Sequence, residues 1–428
     1  MQGQDLLDTF LSALTGPCRV AGGEPVLVCV SGGMDSMVLL DLARRAGQVL
    51  GLSLGVMHVD HGLRGRESEE DARFVEERCR RLSLPFHLAR LCMEPLAANV
   101  EEEARERRYH AVREFRELGG YASAATGHTL DDQAETIIYR VIRGTGIRGL
   151  SGMDYRRHDG IIRPMLGMTR AQVADYAARH GLDFVHDASN DHTRHARNLI
   201  RRCIMPVMRQ VNPRAAHAVA SLAVIARQEG DVLERLADDL GHDAMVFDWS
   251  IIRAFGLHEL GCAAEAVLRR FLIGTIASMT GEQRGMDAEQ VDRVMRVVGG
   301  DAAAHAVRRK VRVCRDGNLL VFHSMGKRPH YVLAIDRAGD VSIPGIRQNV
   351  HITLPVGYSG RLVLRSWLPG DRMEGRRVSD TLSAMRVPGC LRPFWPVLAS
   401  DGGVVAVASE GPAAGAYSLV MGGRDHGR

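Results

Sequence analysis

No two of the eight cysteines in this 428-residue sequence form a CxxC pair. Cys18, Cys29, Cys79, Cys92, Cys203, Cys262, Cys314 and Cys390 are scattered along the chain. That spacing excludes a zinc ribbon, an iron–sulfur ligand set and a disulfide framework, and it fits a reducing cytoplasm. Apolar runs of membrane-spanning length are missing as well, so no membrane partner is expected. The opening segment MQGQDLLDTFLSALTG sets Leu6, Leu7, Phe10, Leu11 and Leu14 on one helical face. It has no basic stretch ahead of them and carries Asp5 and Asp8, so it reads as an amphipathic helix and not as a secretory leader. Lysine is almost absent: of 55 basic residues all but Lys310 and Lys327 are arginine, within a net charge of only +4. Codon bias accounts for this most simply. Whatever its origin, a guanidinium offers phosphate a bidentate fork where an ammonium offers a point charge.

The hydrophobic content of 45% over 428 residues supports two or three domains. From residue 25 to about 190, VLVCV, MVLLDLARR, LSLGVMHVD, EEDARFVEERCRRL and PFHLARL give strand and helix in turn, the pattern of a parallel sheet covered on both faces. From about 215 to 300, AHAVASLAVIARQEGDVLERLADDL and GCAAEAVLRRFLIGTIASM repeat at helical spacing with no strand read between them. After about 330, YVLAID, RLVLRSW and VVAVAS are short alternating runs broken by Gly and Pro. The expectation is an α/β protein in three parts: a parallel-sheet domain over 1–215, a small helical domain over 216–325 and a small α+β domain over 326–428.

The first apolar run ends in Ser31, Gly32, Gly33, Met34, Asp35 and Ser36, followed by a helical period. This is neither G-x-G-x-x-G nor G-x-x-x-x-G-K-[ST]. Glycine N–H groups and a helix N-terminus still suit an anion there. Asp35 would be repelled by phosphate unless a cation lay between them, which implies Mg²⁺. The plainer alternative is a strand-to-helix turn with Asp35 as the cap. The next strand closes on His58, Asp60 and His61, a candidate metal set, and alternation puts His58 and Asp60 together at the carboxyl edge, where open α/β sheets bind ligands. In ATGHTLDDQAETIIYRVIRGTGIRGLSGM, residues 125–153, Thr129 and Asp132 have capping spacing and Asp131, Asp132 and Glu135 fall in the first two helical turns. Capping leaves His128 and the glycine run unexplained. The tract HTRHARNLIRRCIMPVMRQVNPR, residues 192–214, holds Arg194, Arg197, Arg201, Arg202, Arg209 and Arg214 without an acidic residue. It is either a nucleic-acid surface or a solvated helix face.

SGGMDS resembles the S-G-G-x-D-S loop of the PP-loop ATP pyrophosphatases, which split ATP between the α and β phosphates and need no Walker lysine. Together with HVDHGLR, EEEARERRYH, TGHTLDDQAET, RGTGIRGLSGM, RPML and DASNDHTRHARNLIRR, in that order, the sequence resembles the tRNA(Ile)-lysidine synthetase family. The resemblance is dense over the first half of the chain. It implies a PP-loop domain and a cytoplasmic ligase using ATP and Mg²⁺. The wobble cytidine of a CAU-anticodon isoleucine tRNA would be adenylylated at its C2 oxygen, and free lysine would then displace AMP. By the same resemblance Ser31, Gly32, Gly33, Met34, Asp35, Ser36, His58 and Asp60 would bind ATP, Asp35 also holding the metal. Asp35, His128, Asp132 and Arg197 would be catalytic, with Asp132 at the cytosine edge or the metal, His128 at the α-phosphate or the amine, and Arg197 on the developing anion. Arg194, Arg201 and Arg202 would contact tRNA, as would the helical part. The last domain would bind the acceptor stem, and a homodimer is one open assembly. One departure concerns that domain: PGDRMEGRRVSDTLSAMRVPGCLRPFWP keeps Gly370, Asp371, Arg372, Pro388 and Arg392 but has Ser383 and Ala384 where the family is basic, leaving Arg376, Arg377 and Arg386 to compensate. A tRNA 2-thiocytidine synthetase would need paired cysteines. A small-molecule amidating synthetase would need neither the arginine tract nor two further domains, and a silent RNA-binding module would need neither intact motif.

Overall fold

PVLVC is apolar on both sides, and the strand it forms, β1 (Pro25–Cys29), lies at the centre of a sheet with Leu27 and Val28 fully buried. Beside it run β2 (Ser53–Asp60), β3 (Phe86–Arg90), β4 (Ser123–Ala125) and β5 (Ile161–Ile162), all parallel, in the order β3-β2-β1-β4-β5. The computed structural model describes residues 2–60, 66–91, 100–185, 196–249, 251–281, 286–325, 331–343, 349–356, 358, 360–389, 391–409 and 418–421, in two compact units, Met1–Gly230 and Asp231–Arg428.

In the first unit the chain steps outward from β1 through β2 to β3, then returns to the other side of β1 for β4 and β5. The reversal makes the carboxyl ends of β1 and β4 a switch point, the place where open α/β sheets leave a crevice for a ligand. Helices α1 (Gln2–Thr15), α2 (Met34–Leu50), α3 (Arg66–Arg81), α4 (Val100–Leu118), α5 (Leu130–Ile142), the single turn α6 (Ile147–Leu150) and α7 (Arg170–Arg179) complete this part. Val38, Leu39, Leu40 and Leu42 of α2 are at most 1% exposed. At about 1.5–3 kcal/mol for each side chain, their burial fixes the helix that begins at the Gly-Gly loop. The alternating pattern read from the sequence over residues 25–190 is thus the pattern of the fold.

The arginine tract follows as α8 (Ala196–Leu199), a π turn (Ile200–Ile204), α9 (Met205–Val211) and the long α10 (Ala215–Ala244). The π turn has a local cause. Pro206 has no N–H and its ring would press on the carbonyl four residues back, so the helix widens and Met205 N–H reaches Ile200 O instead.

The second unit corrects the reading of 216–325 as helical. Strands β6 (Met245–Trp249), β7 (Ile252–Gly256), β8 (Ala304–Val307), β9 (Val311–Asp316) and β10 (Leu319–Ser324) form an antiparallel sheet in the order β6-β7-β10-β9-β8, next to helices Leu257–Cys262, Glu265–Thr280 and Ala288–Gly299. A four-stranded sheet of Val332–Ile335, Leu362–Ser366, Pro396–Ser400 and Gly403–Val407 carries the short strands expected after 330. Phe247, Trp249 and Ile252 share one core with Leu364, Trp395 and Leu398, so packing is continuous across the 325/326 boundary. Among the described residues no helix is long and apolar enough to cross a membrane.

Candidate active site

The loop after β1 is shaped by Gly32, whose φ of 92° is left-handed. A side chain there would be strained. Ser36 Oγ donates to Gly33 O at 2.8 Å and accepts from Ser31 N–H at 3.2 Å, folding the loop back on the first turn of α2. Gly33 is the N-cap residue and supplies no side-chain cap, so the first N–H groups of α2 face the crevice unsatisfied by the helix itself. Asp35 is therefore not the cap residue. Its Oδ2 accepts from Arg170 Nη2 at 3.1 Å, whereas its Oδ1 is buried with no hydrogen-bond partner among the described residues. Burial pushes its carboxyl up against the pull of Arg170, with Asp132 adding to the rise.

The loop after β4 closes against this one. A Cβ on Gly127 would lie 3.1 Å from Asp35 O, so the approach of the two loops needs glycine. Thr126 Oγ1 donates to Ile162 O at 3.3 Å and sits 2.9 Å from His128 Nδ1. Assigning the proton to Nδ1 satisfies both contacts and gives Nε2 the lone pair. Thr129 and Asp132 form the expected capping box at the head of α5, with Asp132 Oδ2 accepting from Thr129 N–H at 2.9 Å. Asp131 Oδ2 accepts from Arg170 N–H at 2.7 Å, tying α5 to the first residue of α7. The N-termini of α2, α5 and α7 thus converge at the switch point, and their dipoles favour negative charge there.

The arginine tract folds onto these carboxylates. Arg201 donates to Glu135 Oε1 at 2.7 Å, to Glu135 Oε2 at 2.9 Å and to Asp132 Oδ1 at 2.9 Å. Arg197 reaches the same pair at 3.5 Å to each, and Arg209 pairs with Asp131. Burial would raise Asp132, but Arg197, His128, Arg170 and the Thr129 N–H outweigh it and hold the carboxyl below its usual range. Glu135 is only 2% exposed. Buried ion pairs of this kind roughly break even against apolar packing. Stability therefore does not account for four carboxylates facing four arginines, whereas holding guanidinium groups ready at an anion site does.

Asp132 accepts from Thr129 N–H on Oδ2 and from Arg201 on Oδ1, and each carboxylate oxygen can accept a further donor. Arg201 also donates to both oxygens of Glu135, while Arg202 is exposed. Arg194 and His61 lie outside the described residues. His58 is buried at the end of β2 with Nδ1 2.8 Å from Val30 O, and burial keeps its pKa low despite that contact and the nearby Asp60 and Asp71. Asp60, buried one turn of the pleat further on, ends the same strand. Among the described residues no cluster of three or more His, Cys, Asp or Glu could cage a metal. Mg²⁺ needs no such cage when phosphates supply most of its oxygens, and the orphaned Asp35 Oδ1 is a fitting single ligand. Arg170 was missed in the sequence; the Thr169/Gln172 capping box after RPML marks the helix start that carries it.

A family model described as a PP-loop domain matches residues 7–208. The chain is 33% identical over 435 residues to the tRNA(Ile)-lysidine synthase of Solibacter usitatus, covering 92% of this chain and 95% of that protein. It is 29% identical over 438 residues to the synthase of that name from Symbiobacterium thermophilum, covering 90% and 89%. It is 40% identical over 203 residues to the one from Porphyromonas gingivalis, covering 46% and 44%.

Proposed function

The chain belongs to the tRNA(Ile)-lysidine synthase family, and from that premise we propose which residues carry its chemistry. It is a ligase of tRNA modification that uses ATP through its PP-loop and forms lysidine. The substrates we assign are a CAU-anticodon isoleucine tRNA, ATP and free lysine. The C2 oxygen of the wobble cytidine attacks the α-phosphorus and pyrophosphate leaves. The side-chain amine of lysine then attacks C2, loses a proton and expels AMP.

A cytosine carbonyl oxygen is a poor nucleophile, so the first step depends on alignment and on neutralising the phosphates. The N–H groups of Gly32, Gly33 and Met34 and the hydroxyls of Ser31 and Ser36 receive the departing pyrophosphate at the head of α2. Asp35 Oδ1 would hold Mg²⁺, which would supply charge neutralisation at the phosphates. Arg170 and Arg197, each about one-third exposed and held by contacts of 3.1–3.9 Å, are the guanidinium groups able to turn onto phosphate. Arg201 and Asp132 keep them in place. His128 Nε2 accepts the proton from the lysine amine. Arg202 and the exposed arginines of the second unit contact tRNA; residues 1–215 carry the catalysis, 216–325 add tRNA contacts and 326–428 hold the acceptor stem.

The observation that carries this reading is the Asp35 carboxylate at the switch point, with one oxygen on Arg170 and the other buried without a hydrogen-bond partner among the described residues. The test is incubation with ATP, labelled lysine and a CAU-anticodon transcript. Label in RNA from the unaltered chain and none from Asp35→Asn supports the assignment; equal label from both refutes it.

A further inference from the structure

Three contacts from α2 to α7 and its C-cap residue His180 share one sequence offset. Asp35 meets Arg170, Asp41 meets Tyr176 and Arg45 meets His180, each pair 135 positions apart. A constant offset means two parallel helices in strict register, with their N-termini at the same end. The front rung is the ion pair of the site. The other two lie roughly 9 and 15 Å behind it at 1.5 Å per residue. We propose that these rear rungs are positioning elements: Asp41, Arg45, Tyr176 and His180 fix the axial register of α2 against α7 and thereby hold Asp35 opposite Arg170. The inference rests on the assignment of Asp35 and Arg170 to the reaction.

The rear rungs are built for direction. Tyr176 Oη donates to Asp41 Oδ2 at 2.7 Å, and Arg45 Nε donates to the same oxygen at 2.8 Å. Arg45 Nη2 reaches His180 Nδ1 at 3.1 Å, and the Tyr176 and His180 rings lie 4.1 Å apart. Around Asp41 the buried neighbours on α2 are Leu39, Leu40 and Leu42. Apolar packing is non-directional and tolerates sliding, whereas a carboxylate held in place by Arg44 and Arg45 of its own helix and receiving the Tyr176 hydroxyl from α7 defines a single register. A slip of one residue moves a helix by about 1.5 Å and turns it by about 100°, enough to part Asp35 from Arg170. A buried polar network adds little net stability over an apolar one, so its contribution here is placement.

The test uses the full chain. Tyr176→Phe removes one hydroxyl and keeps the ring. The turnover number for AMP release should fall about 10-fold, in line with the sensitivity of reactive geometry to shifts of about 1 Å, while KM for tRNA stays within about twofold. In an Arg170→Ala background the same substitution should cause no further loss, because it acts through Arg170. If Tyr176→Phe fails to fold, Arg45→Lys, which keeps the charge but loses the bridge from Asp41 to His180, should give the same split. Wild-type turnover in the soluble variant, or an equal loss in both backgrounds, overturns the ladder while leaving the site assignment standing. Wild-type turnover in Arg170→Ala overturns the assignment and the ladder together.

Discussion

Asp35 and Asp132 share one site and have opposite environments. The first keeps a buried oxygen free of any hydrogen bond among the described residues, and burial pushes its carboxyl up. The second is buried as well, but the surrounding arginines, His128 and the Thr129 N–H pull its carboxyl down. Asp132→Ala should therefore cost about 1–3 kcal/mol of stability, because the buried Thr129 N–H loses its acceptor and Arg201 keeps only Glu135, read as a lower denaturation midpoint. Asp35→Asn should leave the midpoint near wild type and abolish AMP release. The arginines separate along the same line. Arg197→Ala should lower turnover with little change in tRNA affinity, whereas Arg202→Ala should weaken binding and reduce the salt slope by about 1, measured by filter binding across a salt series. The acidic row of α5 was legible in the sequence because capping spacing is local. Its partners were not, because Arg201 pairs with Glu135 across 66 positions and Arg170 with Asp35 across 135. A tract of arginines read without its fold looks the same whether it faces phosphate or carboxylate.

At the scale of elements, the loops after β1 and β4 touch through glycine. Gly127→Ala brings a Cβ to 3.1 Å from the Asp35 carbonyl, so backbone has to move at the reacting end of α2. The shift required is a few tenths of an ångström, so turnover should fall about threefold with the far-UV spectrum unchanged. In the second unit, the PGDR motif makes a turn: Asp371 accepts from Arg365 at 2.8 and 2.9 Å and from Leu368 N–H at 2.7 Å. Burial raises its carboxyl, but these donors outweigh burial and hold it below the usual range. A depressed folded-state value contributes stability above the ordinary carboxylate pKa of about 3.9, and that stability is lost as pH falls through the folded value. Asp371→Asn should lower the melting temperature at pH 7 and show less further loss than wild type on acidification below about pH 4. The parallel-sheet elements were readable because strand and helix periods alternate cleanly. β6 and β7 were not: the ladder shifts between Met245 and Phe247, and Ala254, Phe255 and Gly256 are buried in succession, so the period of two is lost. Short apolar runs of that kind cannot be told from buried helix by periodicity.

In the first unit Arg170, Arg197, Arg201 and Arg209 are held on carboxylates, whereas the second unit carries a cluster of arginines on its surface. Arg376, Arg377 and Arg386 are exposed around the short hairpin that follows the PGDR turn. Replacing all three with alanine should leave AMP release at saturating tRNA near wild type and flatten the salt dependence of tRNA binding by roughly 2 to 3, at about 0.9 per lost duplex phosphate contact. An unchanged slope would make them solvated charges. The organisation of the first unit could be read from motifs because its function is concentrated in loops at strand ends. The second unit binds, by this account, through dispersed surface charge, which leaves no motif. The most direct measurement counts two products of one reaction: labelled lysine in a CAU-anticodon transcript and AMP released, for the unaltered chain and for Asp35→Asn. The account predicts one AMP per lysine incorporated by the former, strictly dependent on the transcript, and neither product from the latter. AMP release without tRNA, or lysine incorporation that survives loss of the Asp35 carboxylate, would contradict it.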